Sequence, residues 1–319
     1  MSSLLKLLAQ RIALGVLLLF LVSILIFVGT IILPGDVAES ILGQSATPEA
    51  LENIRRDLGL NDPPVQRYFA WLGGALTGDL GTALTSGQEI APVLGARMAN
   101  TLFLAFWAAI ISFPLAIFLG LLAVRYRERW PDKLISGATL ASISVPEFLI
   151  GYILMFVVGV KLGWFPSTAI GFRPDAPVLD KLHAIAIPVM VLTLVVLAHM
   201  MRMTRAAILN VMQSAYVETA ELKGLGMFTI IWRHAFPNSI APIVNVVMLN
   251  LAYLVVGVVV VEVVFVYPGM GQYLVDHVSK RDVPVVQACG LIFAAVYIGL
   301  NLVADIVSIL ANPRLRHPK

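Results

Sequence analysis

Residues 202–242, RMTRAAILNVMQSAYVETAELKGLGMFTIIWRHAFPNSIAP, form the longest polar interruption in the second half of a strongly apolar chain. Helix-forming residues dominate Ala206–Leu222, and Gly224 then breaks the pattern. A second short run, Met227–His234, stops near Pro237. The pattern predicts two short helices around a glycine hinge.

The composition around this stretch is that of a membrane protein. The chain has 319 residues, of which 59% are hydrophobic and 13% charged, and its mean hydropathy is +0.89. Soluble domains carry about 25% charged residues. The single cysteine, Cys289, excludes an intrachain disulfide framework and a cysteine-based metal cluster.

Six apolar stretches are long enough to cross a hydrocarbon layer of about 30 Å, which takes about 20 helical residues. Several are rich in Val and Ile, but in lipid the backbone must satisfy its own hydrogen bonds, which favours helix over isolated strand. We therefore expect an all-α polytopic membrane protein with six transmembrane helices. The predicted spans are Arg11–Leu33, Thr101–Val124, Leu134–Val160, His183–Met201, Ala241–Val266 and Val285–Leu310.

The basic residues predict the orientation of these helices. Thirteen Lys and Arg lie in the two termini, the 125–133 loop and the 202–240 loop, against nine in the opposite, longer set of loops. Because positive residues favour the cytoplasmic side, both termini and the 202–240 loop should be cytoplasmic. The chain then divides into four segments. These are the N-terminus with the first helix (1–33), an extracytoplasmic segment (34–100), a five-helix core (101–311) and a cytoplasmic tail (312–319).

The long 34–100 segment contains two helix signals. Thr47 is suited to cap a helix over Pro48–Leu58, with proline at its first position. Val65–Leu76 has the spacing of an amphipathic helix. The segment is too small and too interrupted for a catalytic domain, which leaves a membrane-capping loop or part of a platform for an extracytoplasmic partner.

Polar residues inside the spans are candidates for a translocation path. An ionised carboxyl at mid-span costs about 2.5–3.5 kcal/mol on insertion scales, so Glu147 should face protein or a watery cavity. The alternative for Glu147 is a role in helix packing. Glu262 lies nearer the membrane–water interface, and a structural role is likewise the alternative for it. The candidate path residues are Ser144, Pro146, Glu147 and Glu262.

Other kinds of site have little support. Asp276 and His277 are adjacent, but no third ligand has a supporting spacing, so we expect no metal site. There is no G-x-x-x-x-G-K-[ST] loop, so the chain itself should bind no ATP and no cofactor. No H-E-x-x-H or G-x-S-x-G motif indicates a membrane-embedded enzyme. A self-contained channel or secondary transporter is the other alternative for a chain with this many apolar spans.

The 202–242 stretch resembles the EAA loop of ABC-importer membrane subunits, whose pattern is Glu-Ala-Ala, three residues, Gly, nine residues and I-x-L-P. Thr219 stands in place of the first alanine, and His234 and Phe236 in place of the closing aliphatic residues. The matching positions are Glu218, Ala220, Gly224 and Pro237.

Further motifs resemble the dipeptide, oligopeptide and nickel permeases of these importers, in the first, long-loop type of the two permeases. Glu221, Leu222 and Asn312 depart from common family residues. The motifs, which in order and spacing cover nearly all of residues 11–317, include LPGD, ATPEALENIRRDLGL, GDLG, SVPEFLIG, RHAFPNSIAP, VVVVEVVFVYPGMGQYLVDHV, RDVPVVQ and NPRLR.

The resemblance implies a permease subunit of a bacterial inner-membrane importer, forming the path with a second permease subunit. Two cytoplasmic ATPase subunits would bind ATP and Mg, and an extracytoplasmic solute-binding protein would deliver short peptides. Nickel chelates, glutathione or another small solute are the alternatives. The implied ATPase-coupling residues are Glu218, Thr219, Ala220, Glu221, Lys223, Gly224, Arg233 and His234.

The predicted orientation can be tested by cysteine labelling in a Cys289→Ser background. A membrane-impermeant maleimide added to intact cells should modify Ser86→Cys, in the 34–100 segment, and should reach Ser214→Cys only after permeabilisation. The reverse pattern would overturn the orientation and the cytoplasmic position of the 202–240 loop.

Overall fold

A computed structural model describes residues 2–32, 47–57 and 61–311, and the described chain is helical apart from one antiparallel bridge between Thr82 and Glu89. The first helices are α1 (Ser2–Ile32), α2 (Pro48–Asp57), α3 (Pro64–Thr77), α4 (Ile90–Arg125), α5 (Trp130–Ser144), α6 (Glu147–Leu154, extended by wide turns over Met155–Lys161) and α7 (Val178–Ala184). They are followed by α8 (Ala186–Met212), α9 (Ala215–Leu222), α10 (Met227–Thr229, extended by wide turns over Ile230–Ala235), α11 (Phe236–Val256), α12 (Val259–Phe265), α13 (Met270–Ser279) and α14 (Val283–Ala311).

Several of these helices are long and apolar enough to cross a membrane. Two further pairs pass the same test only as bent units, α5 with α6 at 103° and α12 with α13 at 78°. The described chain thus has five to seven possible crossings, a range that includes the predicted six. The five single spans are Lys6–Ile32, Ile90–Arg125, Ala186–Met212, Met227–Val256 and Val283–Val307.

The predicted continuous helix over Leu134–Val160 is wrong, because α5 ends at Ser144 and α6 begins at Glu147. Pro146 lacks the N–H that a continuing helix requires, and it disfavours helical backbone at the residue before it. Val145 accordingly has extended dihedrals, with φ −99° and ψ 129°.

The predicted span Ala241–Val266 is also broken. α11 ends at Val256, and α12 ends where Val266 enters the left-handed region at φ 53°. A β-branched residue rarely adopts this conformation, so the surrounding contacts must hold it there. The chain then turns sharply into α13.

The polar stretch is built differently from the two short helices that its sequence predicts. The membrane helix α8 runs on to Met212, and only Ala215–Leu222 forms a separate short helix. The second predicted run does not stop near Pro237 but continues through it into α11. Wider, π-helical turns over Ile230–Ala235 lie directly before this proline, where a regular helix would clash with its ring.

In the 34–100 segment, the capping prediction for Thr47 is confirmed, since its Oγ1 accepts a hydrogen bond from the backbone N–H of Ala50 at 3.3 Å. The helix is described as far as Asp57, and its predicted last residue, Leu58, lies outside the described residues. The predicted amphipathic helix is also found, as α3.

α1 packs antiparallel to α14 along most of its length. The ion pair at one end has an N–O distance of 2.8 Å, and the hydrogen bond at the other is 2.7 Å long. We call the ion-paired end of the bundle inner and the opposite end outer, following the predicted orientation. The facing pairs are Arg11 with Asp305, Gly15 with Ile298, Ile26 with Gly290 and Thr30 with Gln287.

The centre of the bundle is the contact between α4 and α8. Small residues on α4, such as Ala108 and Ala116, are fully buried. At Gly120, a Cβ would lie 2.9 Å from the Thr204 side chain, so the two helices approach too closely for a larger residue. Near the inner end, Arg205 of α8 forms a bidentate ion pair with Asp132 of α5, with N–O distances of 2.9 and 2.8 Å.

A buried carboxylate holds the outer turn between α12 and α13. Glu262 is fully buried and accepts hydrogen bonds from Thr101 Oγ1 at 2.6 Å and from the backbone N–H groups of Gly271 and Gln272 at 2.7 and 3.1 Å. A Cβ at Gly269 would overlap the carboxylate. The carboxylate therefore binds the unpaired N–H groups that begin α13, a position that favours negative charge.

The same turn is tied to α4 by a reciprocal pair of hydrogen bonds. Tyr267 donates its hydroxyl to the carbonyl of Asn100 at 2.8 Å, and the Asn100 amide donates to the carbonyl of Pro268 at 2.8 Å. Thr101, which donates to Glu262, also accepts from the N–H of Met270 at 2.9 Å. Side chains from α4 thus replace the hydrogen bonds that the backbone loses at the break.

Glu262→Ala should lower the thermal unfolding midpoint of the purified protein by several degrees. The change leaves two buried N–H groups without an acceptor, at a cost of about 1–3 kcal/mol each. Glu262→Gln should lose less, because its amide oxygen can still accept from them. Asp276→Ala, which removes an exposed acid from the same α13, is the matched control. Equal midpoints for Glu262→Ala and the control would show that this network does not stabilise the turn.

Candidate functional site

The short helix α9 projects from the inner end of the bundle and is fixed by a small apolar contact. Val217 and Ala220 are buried against Ile230 and Met212. The Tyr216 hydroxyl also donates a weak hydrogen bond to the carbonyl of His234 at 3.4 Å. These contacts join α9 to the wide-turn segment before α11, although the two are separate in sequence.

Gly224 ends α9 in a backbone conformation that favours glycine. Its φ is +78°, in the left-handed region. Its N–H donates to the carbonyl of Glu221 at 2.8 Å, and the N–H of Leu225 donates to the carbonyl of Ala220 at 3.2 Å. This is the Schellman pattern of a helix C-terminus, which satisfies two otherwise unpaired carbonyls. A Cβ on Gly224 would meet no atom within 4 Å of its own chain.

Large apolar side chains around this turn lie open on the surface of the chain. Leu222 is 84% exposed and Phe228 63% exposed, and Trp232 is exposed beside Phe228 at 6.2 Å between ring centroids. The coupling residues predicted from the sequence did not include the two aromatic residues. The signal was available, since both follow the glycine turn within a polar stretch.

The predicted coupling residues occupy one continuous surface element, which we call the α9 knob and define as residues 214–236. Within it, Ala220 is buried and His234 is half-buried. The exposed members are Glu218, Thr219, Glu221, Lys223, Gly224 and Arg233.

The predicted path residues Ser144, Pro146 and Glu147 lie together at the break between α5 and α6. Ser144 and Pro146 are exposed, and Ser144 donates its hydroxyl to the carbonyl of Leu140 at 2.9 Å. Glu147 is half-buried at the start of α6 and accepts a hydrogen bond from the Tyr253 hydroxyl of α11 at 3.3 Å. The carboxyl therefore has a protein partner but is not enclosed.

Glu262 lies at a different place from these three residues. Its carboxylate is enclosed in the outer turn, and all three of its hydrogen bonds are to the protein. The two bent pairs nevertheless touch, because α6 packs on α12 where Gly151 faces Phe265. A change at the outer turn can therefore reach the helix that begins with Glu147.

In the described part of the chain, no group of three His, Cys, Asp or Glu side chains could hold a metal ion. His277 is buried with its Nδ1 at 2.9 Å from the carbonyl of Tyr273, and Asp276 points to the surface.

Two family models match the chain. The model described as the inner membrane component of binding-protein-dependent transport systems matches residues 112–317, and the model of the N-terminal part of such membrane components matches residues 4–120. Together they cover α1, the outer segment and the bundle.

Curated relatives match over almost the whole chain. A putative peptide transport system permease protein of Brucella abortus is 34% identical over 313 residues, covering 98% of this chain and 99% of the relative. A glutathione transport system permease protein of Escherichia coli is 34% identical over 299 residues, covering 94% and 95%.

The fold also resembles a solved transporter. An inward-facing structure of the MetNI methionine ABC transporter matches with a TM-score of 0.54 at 16% identity, covering 69% of this chain and 96% of that one. The family matches and the relatives above show that the chain belongs to the inner-membrane components of binding-protein-dependent transport systems, the permeases of ABC importers.

Proposed function

We propose that this permease imports short peptides and that the α9 knob is its docking element for a cytoplasmic ATPase subunit. The observation that carries the docking proposal is the exposed apolar turn of the knob, with Leu222 84% and Phe228 63% exposed. Such side chains are costly in water, at about 25 cal/mol for each Å² of apolar surface. A groove on a partner would remove them from it.

The charges on the knob fit the same role. Glu218 and Glu221 lie on the exposed side of α9, and Arg233 lies on the adjoining wide turns. Charged groups around an apolar centre supply specificity and orientation more than affinity. ATP and Mg would be bound by the two ATPase subunits, and this chain would contribute the movement.

The contacts of the knob suggest how that movement enters the membrane. The knob is continuous with α8 on one side and with α11 on the other, and Ile230 packs on Val217 between them. Displacement of the knob would therefore shift both helices together. Rigid-body rocking of this kind is a common basis for alternating access.

The path would be formed with a second permease subunit, along the break between α5 and α6. A half-buried carboxyl at an interrupted membrane helix is costly unless it faces protein or water, which supports a path position for Glu147 with Ser144 and Pro146. Glu262 could join the path only if the outer turn opened, because its carboxylate oxygens already accept three hydrogen bonds from the protein.

Peptides are the proposed solutes because relatives that match nearly the whole chain carry that name, and glutathione, named for another relative, is itself a small peptide. Nickel chelates and other small solutes remain the alternatives. An extracytoplasmic binding protein would deliver the solute to the outer end, with both termini in the cytoplasm of a bacterial cell.

Gly224→Asp should abolish most ATP-driven uptake while leaving membrane insertion unchanged. Both Asp and Asn tolerate left-handed backbone better than other residues, so Gly224→Asn is the matched control for shape without charge. A charge buried in a docking surface is costly, and about 1.4 kcal/mol of lost docking energy already weakens binding tenfold. Three quantities should be measured: solute uptake, co-purification of the ATPase subunits, and stimulation of ATPase activity by the solute-loaded binding protein.

Two results would contradict the docking proposal. If Gly224→Asp retains wild-type uptake, co-purification and stimulation, the α9 knob does not contact the ATPase as proposed. Equal losses in Gly224→Asp and Gly224→Asn, accompanied by poor expression, would instead assign Gly224 to folding alone.

Glu147→Gln should change the uptake rate but not the thermal stability. The amide keeps the shape of the side chain and can still accept the hydrogen bond from Tyr253, so only the charge is removed. Tyr253→Phe is the complementary variant, because it removes the hydrogen bond and keeps the carboxyl. Unchanged uptake of peptides of different charge by Glu147→Gln would exclude a path role for this carboxyl.

A further inference from the structure

Helix α3, in the segment expected outside the membrane, is tied to the middle of the first membrane helix. Tyr68 is buried, and its hydroxyl shares a hydrogen bond of 2.8 Å with Ser23 Oγ of α1. The Tyr68 ring also packs edge-on against Phe27, at 5.3 Å between centroids, and Trp71 stacks on Phe27 at 5.9 Å.

The depth of Ser23 follows from the pairing of α1 with α14. Ser23 is twelve residues along from Arg11 and seven before Thr30, the ends of that pairing, which places it about 18 Å from the inner end and about 10 Å from the outer end at 1.5 Å per residue. With a hydrocarbon layer of about 30 Å, this is well inside the bilayer. A tyrosine that bonds to Ser23 must have its backbone at a similar depth, within one side-chain length.

One face of α3 is apolar and suited to lipid, whereas Gln66 and Arg67 lie on another side of the helix. Val65, Phe69 and Leu76 are 67%, 60% and 80% exposed, and their spacing places them along one face of the helix. Tyr68, which anchors the helix to α1, lies beside this face, and its ring centroid is 5.2 Å from that of Phe69. At the depth of Ser23, Leu25 of α1 is likewise exposed.

The ends of α3 also meet the demand that lipid makes on backbone groups. Pro64 has no N–H, and the N–H groups of Gln66 and Arg67 both donate to the carbonyl of Pro63, at 3.0 and 3.2 Å. At the other end, Gly78 adopts φ 88°. There, the N–H groups of Gly78 and Asp79 donate to the carbonyls of Ala75 and Gly74, at 3.3 and 2.9 Å.

In a bilayer, each unsatisfied backbone group costs several kcal/mol, so this pairing lowers the cost of placing α3 in lipid. The same glycine-terminated pattern ends α9, so the pairing permits insertion without requiring it.

We propose that α3 lies in the outer leaflet against α1, with Val65, Phe69 and Leu76 facing the acyl chains of lipid. At 14 residues the helix is too short to span. The chain would enter the leaflet before α3 and leave it after Thr77. The inference is independent of the solute and of the ATPase contact.

The test uses single cysteines in a Cys289→Ser background, labelled with an environment-sensitive fluorophore, in the assembled transporter in lipid vesicles. At Phe69→Cys and Leu76→Cys, lipids brominated on the acyl chain should quench the fluorescence and aqueous iodide should not. At Ser86→Cys, an exposed position in the following loop, iodide should quench and brominated lipid should not.

Two labelling positions are used so that the test still works if one variant fails to fold. Both side chains are exposed, and a fluorophore at either one can show which agent quenches it. Quenching by iodide at Phe69→Cys and Leu76→Cys would overturn the proposal and place α3 in water. Quenching by neither agent would also overturn it and show that protein covers this face. Brominated-lipid quenching found only with the isolated chain, and lost on assembly, would identify the second permease as the cover.

Discussion

Each break in a membrane helix leaves backbone donors and acceptors that lipid cannot satisfy, and the architecture of this permease depends on how those groups are paired. At the break before Glu147 a proline removes the donor altogether. At Gly257 the N–H still reaches the carbonyl of Tyr253, at 2.6 Å. At the outer turn the Glu262 carboxylate supplies the acceptor that the helix cannot. Three different solutions thus remove or pair backbone donors at these bends.

The residues proposed for the solute path lie at one of these breaks. A straight membrane helix offers a solute only its side chains. A broken helix also offers the unpaired backbone groups and the dipole of a helix end. Glu147 lies at such an end, with Tyr253 opposite. The same geometry brings α6 onto α12, so the outer turn and the break before Glu147 share one packed contact. The turn that Glu262 holds and the proposed path position of Glu147 are therefore linked by direct packing.

Much of the fold could be predicted from local sequence. The apolar runs located the membrane helices, and Thr47 before a proline predicted a cap that is present. The break at Pro146 was not predicted, although a proline without an N–H is a local signal for one, and the bend of 103° depends on what packs around it. The partners of Glu262 could not be predicted, because Thr101 is 161 positions away and no local pattern links the two.

The candidate site was predictable to a similar degree. The resemblance to the EAA loop pointed to Glu218 and Gly224 as coupling residues, which stays a prediction, and the left-handed turn explains why glycine stands at position 224. The exposure of Leu222 and Phe228 could not be inferred, since apolar residues in a loop are as often buried beneath it. The open space around Gly224 also depends on the tertiary structure and could not be predicted from local sequence. Within this chain, glycine is favoured at position 224 by its backbone conformation. Any steric need for glycine would have to come from another subunit.

The pairing of α1 with α14 has a consequence for how the protein is made. Arg11 and Asp305 are 294 positions apart, so α1 enters the membrane long before its partner is synthesised. Until then Arg11 lacks its carboxylate partner and Thr30 its amide partner. Of the contacts described for α1, those with α3 can form early in synthesis, whereas those with α14 can form only after the last helix has been made.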